Sequence, residues 1–162
     1  MDMTALFQLS YGVYVVGVAD AGRRNGCMAN SLMQVTAEPP GLVVGLNKDS
    51  LTAQLLRKTG RFSVSVLGEK VEPSLIGTFG FRSGKDCDKY AEVNWEERGG
   101  LPILPQCCAY ALCEVRQTLD LGTHWLFYGE VTDCGHLTPG TPMTYAYYHR
   151  VIKGTPIQVP KG

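Results

Sequence analysis

The sequence predicts an all-β-dominated fold, an antiparallel barrel with a few short helices, and three observations predict it. At least six segments read as strands. They follow one another through turns, without the strand–helix–strand alternation of a doubly wound sheet. Only one or two short helices interrupt them.

The first element, "YGVYVVGVAD" at 11–20, is rich in valine and tyrosine and reads as a strand. "AGRRNG" follows, and Asn25-Gly26 within it is a hairpin-turn signal. "CMANSLMQVTAEPP" returns as one strand of mixed polarity, ended by Pro39-Pro40, and "GLVVGLN" is a short, apolar third strand. A helix comes next. Asp49 or Ser50 caps its start, Leu51, Leu55 and Leu56 give it an apolar face, and Gly60 suits its end. "RFSVSVL" alternates, with Phe62, Val64 and Val66 one way and Ser63 and Ser65 the other, which predicts a half-buried strand. A second short helix is expected in "EPSLIGTFG", a loop in "FRSGKDCDK" at 81–89, and irregular chain in "NWEERGGLPILP". "CCAYALCEVRQTLDLG" and "THWLFYGEVTDC" read as two long strands joined near Gly122, and "MTYAYYHRVIKG" as a final strand. The chain divides into one domain at 1–154 and an extended tail or linker at 155–162.

With 162 residues the chain is long enough for one real core. Fifteen basic and fifteen acidic side chains leave a formal net charge of zero, which argues against a nucleic-acid binder. No apolar run approaches the ~20 residues of a membrane helix, and the N-terminus lacks a signal peptide's pattern, so a cytoplasmic protein is expected. The six cysteines contain no CxxC pair and read as reduced, mostly buried thiols rather than metal ligands. There is no Gly-x-Ser-x-Gly elbow and no Gly-x-Gly-x-x-Gly after a strand, so neither a hydrolase nor a Rossmann site is supported.

The densest polar cluster is "NKDSLT", where Asn47, Lys48, Asp49, Ser50 and Thr52 lead into the first helix. A helix start carries unpaired amides and the positive end of the dipole, so it suits an anion such as phosphate. Plain N-capping accounts for the same residues, and the Asp49 carboxylate opposes an anion unless it faces away. The preceding strand adds Asn30, Ser31, Gln34 and Thr36, with Asn30, Leu32 and Gln34 on one face. On a barrel strand such groups suit a planar heterocycle with several hydrogen-bonding edges, or a solvent-wetted edge strand.

"NGCMANSLMQVTAEPPGLVVGLNKDSLTAQLLRKTGRFSVSVLGE", with "FGFRSGKDCDK" and "THWLFYGEVTD", resembles the flavin reductase-like, FMN-binding split-barrel family. "YYHRVIKG" before a proline-containing tail is similar to the flavin module of high-molecular-weight rubredoxin and to flavoredoxin. The resemblance implies a split barrel, a homodimer and a non-covalent FMN. It would place Asn30, Ser31, Leu32, Met33 and Gln34 at the isoalloxazine edge. It would set Thr36, Asn47, Lys48, Ser50 and Thr52 around the phosphate and ribityl chain, and Arg82, Ser83, Gly84 and Lys89 in a loop closing over them. His124 matches a histidine near the nicotinamide, although Thr123 stands where the family's Gly-Asp-His carries its acid. Hydride would pass from NAD(P)H to the flavin and electrons onward to free flavin, a ferric complex or a rubredoxin-like protein. The flavin supplies the redox chemistry, so no protein nucleophile is needed. Two other readings share these residues: an FMN-containing electron-transfer module without its own NAD(P)H oxidation, and a flavin-free barrel binding protein.

Overall fold

The computed structural model describes residues 1–153. Nine strands are formed: β1 (Tyr14–Asp20), β2 (Arg23–Ala29), β3 (Leu32–Ala37), β4 (Pro40–Asn47), β5 (Arg61–Val66), β6 (Glu96–Arg98), β7 (Leu101–Ile103), β8 (Ala109–Asp120) and β9 (His124–His136). Two nine-residue helices, α1 (Leu51–Thr59) and α2 (Pro73–Phe81), interrupt them. Seven strands make one antiparallel sheet in the order β2-β1-β5-β8-β9-β4-β3. β2 and β3 stand at opposite ends of that order, yet only Asn30 and Ser31 separate them in the chain. The sheet must therefore curl until its two edges meet. Among the described residues no ladder joins β2 to β3, so the barrel is split at that seam.

The expected antiparallel, β-dominated class is the observed one, with five local differences. The hairpin turn falls at Ala21-Gly22, where φ is 49° and 83°, and not at Asn25-Gly26. Both turn positions are left-handed, as a two-residue hairpin loop demands. Gly26 is needed for a close approach instead, since a Cβ there would lie 2.6 Å from the Tyr90 hydroxyl. The expected strand 27–40 is two strands, broken at Asn30–Ser31 where the chain crosses the seam. β5 is buried on both faces, because the segment after β6 covers its serine side. Ser63 donates to the Pro102 carbonyl, and Ser65 accepts from the Leu104 amide at 3.1 Å. The stretch expected to be irregular contains the β6–β7 hairpin, turned at Gly99 and Gly100 with φ 56° and 83°. The expected final strand is helical: α3 (Tyr145–Tyr147) runs into a π turn at Tyr148–Ile152. Thr144 caps it by accepting from the Tyr147 amide. Tyr145, Tyr148 and His149 stand three and four apart and are all buried, a helical period that overrides the strand preference of tyrosine. The tail expected at 155–162 lies outside the described residues.

The core of the described residues falls into three clusters, the smallest made of Leu101, Ile103, Tyr110 and Leu112. Inside the barrel, Val16, Val18, Val44, Phe62, Val64 and Phe127 meet Ala53, Leu55 and Leu56 of α1. Outside, Val13, Val15 and Leu67 are covered by α2, Tyr90, Met143 and the C-terminal helical turn. α1 is fixed at both ends. Ser50 accepts from the Ala53 amide at 3.0 Å, and Gly60 ends the helix at φ 72°. No helix among the described residues is long and apolar enough to cross a membrane.

Candidate functional site

The polar cluster at 47–52 sits where β4 hands over to α1, and backbone register defines its surroundings. Asn47 pairs with His124 across the β4–β9 ladder, and the Lys48 amide donates to the Thr123 carbonyl at 3.1 Å. The corner folds on itself: the Asn47 side chain accepts from the Asp49 amide at 2.9 Å, while its carbonyl accepts from the Ser50 amide. Lys48 Nζ lies 2.6 Å from Asp120 and 5.5 Å from the Trp125 ring centroid, so the cation is tied to the β8–β9 hairpin. The Lys48 ammonium and the Gly122 amide hold the Asp120 carboxyl below its ordinary range. Exposed as it is, Asp120 therefore adds only slightly to the stability of the fold above its unfolded pKa, and this is lost as pH falls through the lower folded value. In Lys48→Met the Asp120 carboxyl is expected to titrate closer to its ordinary range, as followed by carbon-detected NMR. An unmoved titration would mean that Lys48 does not hold it.

The 81–89 loop reaches this corner through residues that the sequence pattern did not single out. Lys85 Nζ donates to the Asp49 carbonyl at 3.1 Å. Asn25, buried on β2, donates to the Thr52 hydroxyl at 2.9 Å and packs so closely under Gly84 that a Cβ there would lie 2.1 Å from it. Helix start, β2 and loop are thus one unit. Asn25 was hidden in an apparent turn, and Lys85 in a loop with no periodicity. A buried asparagine whose partner is a helix-start hydroxyl was the missed signal.

Not every expected residue converges here. Asn47, Lys48, Ser50, Thr52, Gly84 and His124 share the corner. Thr52 contributes its backbone to the helix start, because its side chain is only 1% exposed and is taken by Asn25. Lys89 is 3% exposed and donates to the Gly26 and Phe79 carbonyls at 2.8 and 3.3 Å, so it pins the loop from below. Burial pushes its pKa down. Arg82 is paired with Glu92, and Ser83 caps the loop by accepting from the Lys85 amide. The Ser31 carbonyl accepts from Gly45, which brings the start of β3 beside β4. Leu32, Met33 and Gln34 pair with Val44, Val43 and Leu42. Thr36 is set apart. It lies opposite Gly41, about 20 Å along β4 from Asn47 at the usual rise, and bonds Tyr128 and the Pro39 carbonyl.

The donor set fits a phosphate. Ahead of the Ser50-capped Ala53 amide, the first amides of α1 have no intrahelical acceptor, and two ammoniums lie at the same corner, Lys85 bonded to the Asp49 carbonyl and Lys48 to Asp120. The described residues thus form a small split barrel with lysines at a helix-start corner. Residues 6–156 match the flavin reductase like domain family. The high molecular weight rubredoxin of Moorella thermoacetica is 45% identical over 157 residues, 96% of this chain and 69% of that protein. The ferric-chelate reductase (NAD(P)H) of Archaeoglobus fulgidus is 36% identical, over 95% of this chain and 92% of that protein. A solved FMN-binding protein from Thermus thermophilus superposes with a TM-score of 0.73 at 29% identity, covering 79% of this chain and 71% of that one. The chain belongs to the flavin reductase-like family. It is a flavin-dependent oxidoreductase.

Proposed function

We propose that the flavin is FMN, bound non-covalently with its phosphate at the 47–52 corner and covered by the 83–85 loop. The observation that carries this reading is the joining of loop, β2 and helix start through Lys85–Asp49 and Asn25–Thr52. The bound flavin supplies hydride acceptance and electron release. The chain's part is to hold and orient it. Lys48 and the α1 amides take the anionic end, and the backbone of Asn30 to Gln34 offers hydrogen bonds along the seam. His124, beside Asn47 in the ladder, stands at the edge where the nicotinamide of NAD(P)H would approach. Thr36 fits this arrangement least.

A homodimer is supported by β3. Its residues from Met33 to Ala37 are exposed, with Met33 62% and Val35 44% open to solvent. A strand with apolar groups on an open sheet edge suits pairing with a second copy. A cytoplasmic setting is supported by six free thiols, of which burial pushes those of Cys107 and Cys113 up to about 12. Free flavin, a ferric complex and a rubredoxin-like protein are the acceptors this reading admits. The rubredoxin-like protein is favoured by the similarity to high molecular weight rubredoxin.

One observation favours the alternative of an electron-transfer module without its own NAD(P)H oxidation. His124 Nδ1 is bonded to the neutral Thr123 hydroxyl at 2.8 Å instead of to a carboxylate. Both readings are tested by purifying the protein, identifying its chromophore by mass and titrating it with NADH and NADPH under nitrogen. A yellow, FMN-loaded protein bleached by either nucleotide is expected. FMN that neither nucleotide reduces would leave only the transfer module, and a protein that stays colourless after FMN addition would end both.

A further inference from the structure

Lys48 already has an anion of the chain's own. Its ammonium lies 2.6 Å from the carboxylate of Asp120, the last residue of β8, at the tip of the β8–β9 hairpin. We propose that Asp120 is an internal competitor for the FMN phosphate. It holds the Lys48 ammonium until FMN binds, gives it up to the phosphate, and takes it back on release. Asp120 thereby limits FMN affinity and speeds FMN exchange. The inference rests on the phosphate reading above and deepens it by naming a residue that sets how tightly the phosphate is held.

Backbone bonds bring this carboxylate to the corner. Asn47 pairs with His124, and the Lys48 amide donates to the Thr123 carbonyl at 3.1 Å, so the hairpin tip is fastened to the chain that enters α1. The Gly122 amide donates to Asp120 Oδ1 at 2.8 Å, the same oxygen that accepts from Lys48. Asp120 is therefore preset against Lys48. Its side chain is 64% exposed and that of Lys48 27%, so the pair adds little to the fold. Its effect on a ligand is different. A phosphate and a carboxylate seek the same ammonium donors, and each repels the other.

Lys85 supplies the contrast. Its ammonium is bonded to a neutral carbonyl, that of Asp49, and among the described residues it is in no ion pair. It turns to a phosphate without leaving a carboxylate behind, whereas Lys48 must first break an ion pair. Arg57 softens that loss. Its guanidinium lies 6.0 Å from the Trp125 ring centroid, on the ring that Lys48 also faces, and it acts on the Asp120 carboxyl. Arg57 and the Gly122 amide remain with Asp120 when Lys48 leaves, which keeps the exchange reversible.

The test is a fluorescence titration of the apoprotein, full chain, with FMN and with riboflavin. It compares the parent, Asp120→Asn, Lys48→Met and the double variant after thermal melts confirm folding, and stopped flow gives the release rates. Asparagine keeps an acceptor for the Gly122 amide and removes only the charge. Asp120→Asn should bind FMN about fivefold more tightly, mainly through slower release, as the loss of an exposed ion pair allows. Riboflavin, which has no phosphate, should bind parent and variant alike. With Lys48→Met in place, Asp120→Asn should leave FMN affinity unchanged. Equal FMN affinity in parent and Asp120→Asn overturns the competition and leaves the phosphate reading standing. Weaker FMN in Asp120→Asn also overturns it, because Asp120 would then orient Lys48 toward the ligand. A gain that persists without Lys48 means a general field of the carboxylate, and an equal gain for riboflavin means a structural effect; either overturns the competition. If FMN binds neither parent nor Asp120→Asn, the phosphate reading itself fails and the competition fails with it.

Discussion

Changing Lys48→Met and Ser50→Ala together is expected to raise the FMN dissociation constant of the apoprotein about a hundredfold. Each change removes one polar partner of an anion, and charged hydrogen bonds contribute about 1.5–3 kcal/mol apiece, partly offset by rearrangement. The effects on folding are separable. Ser50 also caps α1 through the Ala53 amide, so its loss costs about 1 kcal/mol of stability whatever it does to the ligand. Lys48 pairs with the exposed Asp120, an ion pair of little consequence for the fold. Urea melts of the single variants should therefore show a modest shift for Ser50→Ala and almost none for Lys48→Met, while flavin fluorescence titrations show weakened FMN in both. Unaltered FMN affinity in a folded double variant removes the phosphate from this corner.

Lys89→Met is the second substitution with a large expected effect. The ammonium sits beneath the loop and donates to two buried carbonyls, those of Gly26 and Phe79. A methionine fills similar space and donates nothing. An orphaned buried acceptor costs about 1–3 kcal/mol, so two of them should lower stability by about 2–4 kcal/mol even after the desolvation of the charge is relieved. Burial holds the Lys89 pKa below the ordinary lysine value. Between the folded and unfolded values the unfolded chain binds more protons, so stability rises with pH there. That alkaline gain should vanish in Lys89→Met, in urea melts run from neutral to high pH. Hydrogen exchange should also show faster opening of 82–89. A variant as stable as the parent, with the same alkaline slope, would mean that this lysine does not anchor the loop.

These two residues show what sequence alone could deliver. Lys48 was legible as part of the polar run before a helix start because that pattern is local, within one turn, whereas its Asp120 partner, far along the chain, was not. Lys89 was legible as part of the loop but not in its direction, because only the packing of Phe79 and Gly26 turns its ammonium inward. Asn25 was masked by Gly26, since an Asn-Gly pair signals a turn unless a distant ring, here Tyr90, demands the glycine for room. The strand from Arg61 was readable by its alternation, and the one from Ala109 as a long strand. The last segment was not, because three tyrosines and two valine-type residues carry strand propensity, and only the buried face shared by Tyr145, Tyr148 and His149 makes it helical. Ser63 and Ser65 read as solvent-facing because nothing local announces that Pro102 and Leu104 will cover them.

Ladder register has a further consequence for synthesis. Asn47 is opposed by His124, and Lys48 finds its carboxylate at Asp120. Pairings so distant along the polymer form slowly and late. A nascent chain still on the ribosome cannot assemble this corner until its ninth strand has emerged. On the reading that FMN binds at this corner, its capture belongs after translation of the β8–β9 hairpin, and stalled or truncated products ending before it should leave the ribosome empty-handed.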